Sequence, residues 1–259
     1  MGDSVLSRLV AVSNRVADHK GGKPSGGLAV GLLAALHQNG GLWFGWGGKT
    51  RQGEPSAPDI VRKGNIEYAT IDLYEADFED YYNGYSNICL WPLCHYMLGF
   101  FRFERRFQDA YRRVNALFAR KLLPLLKDDD LIWVHDYHLI PLAGELRNAG
   151  FRNPIGFFLH TPFPCYEALR AVPGHEYLLR SMCAYDVIGF QTQRDLVAFE
   201  SCVREPVVNA ELDDKHVIRI AGEEVIADVF PIGVDVDGIA ALAAEAADNK
   251  RVRKLKKSL

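Results

Sequence analysis

The sequence predicts an α/β protein built on a mostly parallel sheet. Three observations carry that prediction. Short apolar runs of strand length recur along the chain, as in Leu131-Ile132-Trp133-Val134, and they read as strands buried on both faces. Segments with helical apolar spacing separate them, which is the alternation of βαβ units. Several runs also end in polar or titratable clusters: Asn14-Arg15, His135-Asp136-Tyr137-His138, His160-Thr161 and Gln191-Thr192. Ligands of open α/β sheets bind at the carboxyl ends of the strands.

Taken in order, residues 9–13 form the first strand, ended by Asn14-Arg15. Residues 18–27 are a polar, Gly-rich loop, and residues 28–38 a helix with Leu28, Leu32, Ala35 and Leu36 inward. Gly26 and Gly27 precede that helix, so their N–H groups can approach an anion closely. A plain surface loop is the other reading, and no G-x-G-x-x-G opens the helix. Residues 42–46 read as a buried strand followed by a long turn. Gly47-Gly48-Lys49-Thr50 imitates a phosphate loop, but Trp43 stands where its first Gly belongs. Residues 51–65 read as a surface loop, 66–73 as an edge strand and 77–83 as a short helix bearing Tyr81 and Tyr82.

Pro92 argues against regular structure over residues 87–96. Trp91 beside it is either a platform for a sugar ring or a core side chain closing the loop. Residues 104–123 form the longest helix, with Phe107, Tyr111, Val114, Leu117, Phe118 and Leu122 as its apolar stripe and its arginines facing solvent. After strand 131–134, Asp136 is either a ligand-holding carboxylate or a helix cap. Leu139, Leu142, Ala143 and Leu146 continue with helical spacing. Strand 154–159 runs into His160, held by a turn containing Pro162 and Pro164. His160 is a candidate contact or acid/base group, or a structural histidine. Helix 175–184, strand 186–190 and a helix capped by Thr192 follow. Residues 204–224 suggest a β-hairpin leading to strand 225–230. Residues 239–247 are an Ala-rich helix, and the basic tail from Lys250 carries no further element.

The chain has 259 residues, 48% hydrophobic and 24% charged, which suits one large or two small globular domains. A net charge of -3 gives no reason to expect a nucleic-acid partner. The five cysteines form no CxxC pair and no zinc spacing, so no metal site is expected and a reducing cytoplasm fits. No signal peptide or membrane span is legible.

One set of motifs adds up. Val12-Ser13-Asn14-Arg15, Gly26-Gly27-Leu28-Ala29-Val30-Gly31, Gly41-Leu42-Trp43-Phe44-Gly45-Trp46, Tyr81-Tyr82-Asn83, Leu90-Trp91-Pro92, Arg113-Val114-Asn115, His135-Asp136-Tyr137-His138, Leu159-His160-Thr161-Pro162-Phe163-Pro164, Gly189-Phe190-Gln191-Thr192 and Pro231-Ile232-Gly233 occur in this order. Together they resemble the amino-terminal half of the trehalose-6-phosphate synthases, retaining glycosyltransferases of the GT-B fold.

The resemblance implies a Rossmann-like acceptor-binding domain over residues 1–238. Residues 239–259 would begin an inter-domain segment, with the carboxyl-terminal donor-binding domain absent. It implies an acceptor site for glucose 6-phosphate at Arg15, Tyr82, Trp91 and Asp136, with Arg15 and Tyr82 on the phosphate. It implies donor contacts at Gly26, Gly27 and His160, and catalytic positions at Asp136 and His160. The implied reaction moves glucose from a nucleotide sugar, usually UDP-glucose, without metal or cofactor and with retention. Asp136 would orient the acceptor rather than form a covalent sugar. Such enzymes are expected to be homo-oligomers at full length, and this chain is expected to be inactive alone. The alternatives are a pseudo-glycosyltransferase of the same fold and a non-catalytic sugar-phosphate-binding module.

Overall fold

A computed structural model describes residues 7–16, 27–233, 236–247, 249–256 and 258. Among these residues, ten strands form one sheet in the order β3-β4-β2-β1-β5-β6-β7-β10-β9-β8. The strands are β1 (Leu9–Arg15), β2 (Gly41–Arg51), β3 (Asp59–Lys63), β4 (Ile66–Tyr74), β5 (Leu131–His135), β6 (Ile155–Phe158), β7 (Val187–Phe190), β8 (Glu211–Leu212), β9 (Val217–Ile220) and β10 (Glu223–Val229). From β4 through β10 every pairing is parallel, and β3, β9 and β8 add antiparallel edges.

Strand order reverses at β1. The chain runs outward from β1 through β2 to β4, then returns to the other side at β5. The carboxyl ends of β1 and β5 therefore flank the switch point, where ligands of such sheets bind. Alternation along the strands builds two cores. Val10, Val12, Leu42 and Phe44 face the larger one, under α4 (Arg105–Leu122), α5 (Leu142–Asn148), α6 (Tyr166–Leu169), α7 (His175–Met182) and α8 (Gln193–Val203). Ala11 and Trp43 face the smaller one, where Leu32 and Leu36 of α1 (Gly27–Asn39) cover them.

Most predicted elements are present, and the differences are these. Strand β2 does not turn after Trp46 but continues to Arg51 through a bulge, pairing Trp46 with Ile71 and Thr50 with Leu73. Gly48, at φ 91°, supplies the conformation that the irregular stretch requires. The expected loop 51–65 contains β3, a charged edge strand, so β4 is not the edge.

The short helix of Tyr81 and Tyr82 is part of a run from α2 (Glu75–Phe78) through a π-helical stretch (Glu79–Leu90) into α3 (Trp91–Cys94). Pro92 is accommodated because the helix changes register there. The Trp91 N–H donates to Ser86 O, five residues back, and Pro92 opens the next turn, where its missing donor costs little. The arginine face of α4 is also less free than expected. Arg113 bonds Asp77 at 2.6 Å and Arg106 bonds Asp80 at 2.7 Å, while staying more than half exposed. The basic tail forms α10 (Lys250–Lys256), after α9 (Val236–Ala246), so residues 238 and 239 both lie within a helix.

Candidate active site

Arg15 ends β1, and its guanidinium carbon lies 5.4 Å from the Trp46 ring centroid. Gly48 makes that position possible, since a Cβ there would come within 2.9 Å of the Arg15 guanidinium. Trp46 is held from behind by its indole N–H, which donates to Lys49 O at 2.7 Å. Its ring contacts Tyr82 at 5.9 Å. Tyr82 stacks between Phe78, at 5.6 Å, and His138, at 5.9 Å, both within 17° of parallel. His138 stacks in turn on Tyr137 at 4.1 Å. One continuous series of ring contacts thus runs from Arg15 at the end of β1 to the loop after β5.

That loop begins with Asp136, whose backbone sits at φ 74°, ψ 164°. A non-glycine residue rarely adopts this conformation, and such strain costs about 1–3 kcal/mol unless the surroundings enforce it. They do. The Asp136 N–H donates to Phe158 O at 2.8 Å. Three buried side chains bind the carbonyls that follow: Tyr111 OH to Tyr137 O at 2.6 Å, Asn115 Nδ2 to His138 O at 3.1 Å and Tyr185 OH to Leu139 O at 2.8 Å. Arg113-Val114-Asn115 matters here through Asn115, whose side chain holds the His138 carbonyl.

The Asp136 side chain makes no capping bond to an N–H two or three residues on, so the helix-cap reading does not hold. Its Oδ1 accepts the His160 N–H at 3.3 Å. Burial raises the Asp136 carboxyl to about 6, against the N–H groups of Tyr137 and His160 and the charge of His95, which favour the carboxylate. His160 follows β6 and is half-buried, and burial lowers it to about 4. Its Nε2 lies 3.0 Å from His135 Nδ1. Trp91 is 37% exposed and stacks on His95 at 4.2 Å, so it is not a core side chain.

The structure thus gathers Arg15, Tyr82, Asp136 and His160 at the carboxyl ends of β1, β5 and β6, with Trp91 on the neighbouring α3. Gly27 opens α1. Gly26 lies outside the described residues. Sequence reasoning missed Trp46, Gly48, His135 and His138 as parts of the site. The Trp46-Gly47-Gly48 run was the available signal for the first two; the two histidines stood in the motif without a role. No group of three metal-ligating side chains occurs among the described residues, and no helix there is long and apolar enough to cross a membrane.

An arginine, a series of aromatic rings and a carboxylate near the switch point of a mostly parallel sheet define a class: a Rossmann-like α/β domain. The family description "Glycosyltransferase family 20" matches residues 7–259, and the chain belongs to that family. It is 50% identical over 243 residues to a trehalose-6-phosphate synthase of Salmonella choleraesuis, and 49% identical over 242 residues to one of Citrobacter koseri. Each alignment covers 92% of this chain and 50% of the relative, so the chain spans about half the length of these curated relatives.

Among solved structures, a UDP-forming α,α-trehalose-phosphate synthase from Burkholderia xenovorans superposes with a TM-score of 0.89. It is 47% identical, over 97% of this chain and 54% of that one. The B. xenovorans enzyme in complex with glucose-6-phosphate gives 0.88 at 45% identity, over 96% of this chain and 55% of that one. An Escherichia coli trehalose-6-phosphate protein bound with UDP-2-fluoro glucose gives 0.83 at 48%, over 92% and 51%.

Proposed function

We propose that this chain supplies the acceptor half of a retaining glucosyltransferase that moves glucose from UDP-glucose to glucose 6-phosphate, forming trehalose 6-phosphate. The observation that carries the proposal is the continuous contact from Arg15 through Trp46, Tyr82 and His138 to the Asp136 loop. An arginine at one end and a carboxylate at the other match the phosphate and the hydroxyls of one hexose phosphate. Arg15 and the Tyr82 hydroxyl bind the phosphate, the guanidinium through charge-assisted hydrogen bonds. Asp136 accepts hydrogen bonds from sugar hydroxyls and orients the acceptor. Trp91 offers an exposed aromatic face to the sugar. His160 faces the donor glucose, and the loop through Gly26 and Gly27 the donor's phosphates.

Catalysis on this scheme is positional. Asp136 forms no bond to the sugar carbon, and the departing phosphate of UDP takes the acceptor's proton. No metal or cofactor takes part. The relatives' names, UDP-forming and bound to glucose-6-phosphate, support both substrates. Isothermal titration of the 259-residue chain tests the acceptor assignment. Glucose 6-phosphate is expected to bind in the millimolar range or tighter, and more tightly than glucose. Heat equal to buffer at millimolar glucose 6-phosphate would sink it.

A further inference from the structure

His135 and His160 form a pair whose protons are coupled. Strand β5 sets His135 opposite Phe158, the last residue of β6, and His160 follows two residues beyond it. The rings meet with His135 Nδ1 3.0 Å from His160 Nε2. Burial holds both imidazoles neutral at pH 7, His160 at about 4 and His135 well below its ordinary value, lowered further by His160. One nitrogen of the contact must then carry the hydrogen and the other accept it.

Two arrangements are possible. If His160 donates through Nε2, His135 carries its hydrogen on Nε2. If His135 donates through Nδ1, its Nε2 is bare. His135 is 1% exposed, beside the rings of Trp133 and Phe158, and its Nε2 has no hydrogen-bond partner among the described residues. Buried backbone N–H groups without a partner are rarer than carbonyls short of one, and the same ordering is taken for the imidazole nitrogens. The second arrangement leaves a bare lone pair at His135 Nε2 in place of an orphaned N–H.

We therefore propose that His135 donates through Nδ1 to His160 Nε2 and thereby locks His160 as its Nδ1–H tautomer, a neutral hydrogen-bond donor at the crevice. His160 Nδ1 has no hydrogen-bond partner among the described residues and is not fully buried. A neutral N–H at that edge recognises an oxygen acceptor, here a hydroxyl of the donor sugar. That last assignment rests on the proposed function; the tautomer does not. His135 reaches no substrate and is a positioning residue, much as an outer partner fixes the tautomer of a metal-bound histidine.

Long-range nitrogen–proton correlation spectra of the isotope-labelled, ligand-free chain decide the tautomer. The expected result is a protonated Nδ1 and a bare Nε2 at His160. A His160 protonated on Nε2 overturns the proposal. In His135→Leu the Nδ1–H signature should give way to a mixture, and in His135→Asn, whose amide N–H stands near the place of Nδ1, it should return. An unchanged signature in His135→Leu also overturns the proposal. If His135→Leu does not fold, the spectrum of the unaltered chain decides alone. With the complementary donor half supplied, UDP-glucose at millimolar concentration should shift the His160 Nδ1 resonance. No shift in that two-half complex would overturn the contact with the donor sugar, and with it that part of the proposed function, and would leave the tautomer to the ligand-free spectrum.

Discussion

Asp136→Asn is expected to stabilise the ligand-free chain while impairing it. The substitution keeps an oxygen for the His160 N–H and removes only the charge. Asn also tolerates positive φ about as well as Asp. In the fold the carboxyl titrates at about 6, against an ordinary value of 3.8, so folding raises it by about 2 units. At 1.36 kcal/mol per unit that is a ceiling of about 3 kcal/mol against the ionised form. The residue is only half-buried, and water reaching it reduces the expected gain to about 1–2 kcal/mol.

The sign follows from which state holds the proton. Below about pH 3 the carboxyl is neutral in both states and the penalty is absent. As pH rises through 3.8 the unfolded chain ionises first, and the penalty grows until the folded group ionises near 6. Urea melts of both proteins at several pH values read this directly. The variant should match the parent near pH 3 and exceed it at pH 7, while binding glucose 6-phosphate more weakly. Equal stability at pH 7, or an advantage largest in acid, would refute the argument that burial of the Asp136 charge is a cost accepted for binding.

Arg15→Ala should weaken glucose 6-phosphate by about 1.5–3 kcal/mol, the worth of a hydrogen bond to a charged group, and glucose much less; titration with both ligands compares the losses. His138→Phe should flatten the acid limb of stability. Burial lowers His138 to about 3, so the unfolded chain takes up a proton from 6.5 downward while the fold does not, and stability falls over that window. Thermal melts between pH 7 and pH 4 should show a smaller loss in the variant than in the parent. Thr192→Ala removes the side chain that accepts the Asp195 N–H at the start of α8. Urea denaturation should show a cost of about 1 kcal/mol.

The sequence by itself determined the alternation of strands and helices, the burial of β1, β2, β5, β6 and β7, and the polar strand tips that hold Arg15, Asp136 and His160. These are local facts: apolar runs, periodicity and caps belong to neighbours in the chain, and Thr192 caps α8 as its spacing requires. The family motifs were legible for the same reason. Tertiary structure decided the rest. Strand β3 has no apolar signature because it is an edge strand, specified by its partner β4 rather than by its own pattern. Pro92 enters a helix because a π-helical stretch changes which carbonyl each N–H meets. Trp46 and Gly48 join the site only because β2 lies beside β1, so that one indole supports an arginine from the next strand and one missing Cβ makes room for it. His135 and His160 are 25 residues apart in the chain and share a proton only through the parallel register of β5 and β6. Contacts of this kind depend on which strand is the neighbour, and a linear pattern carries no information about that.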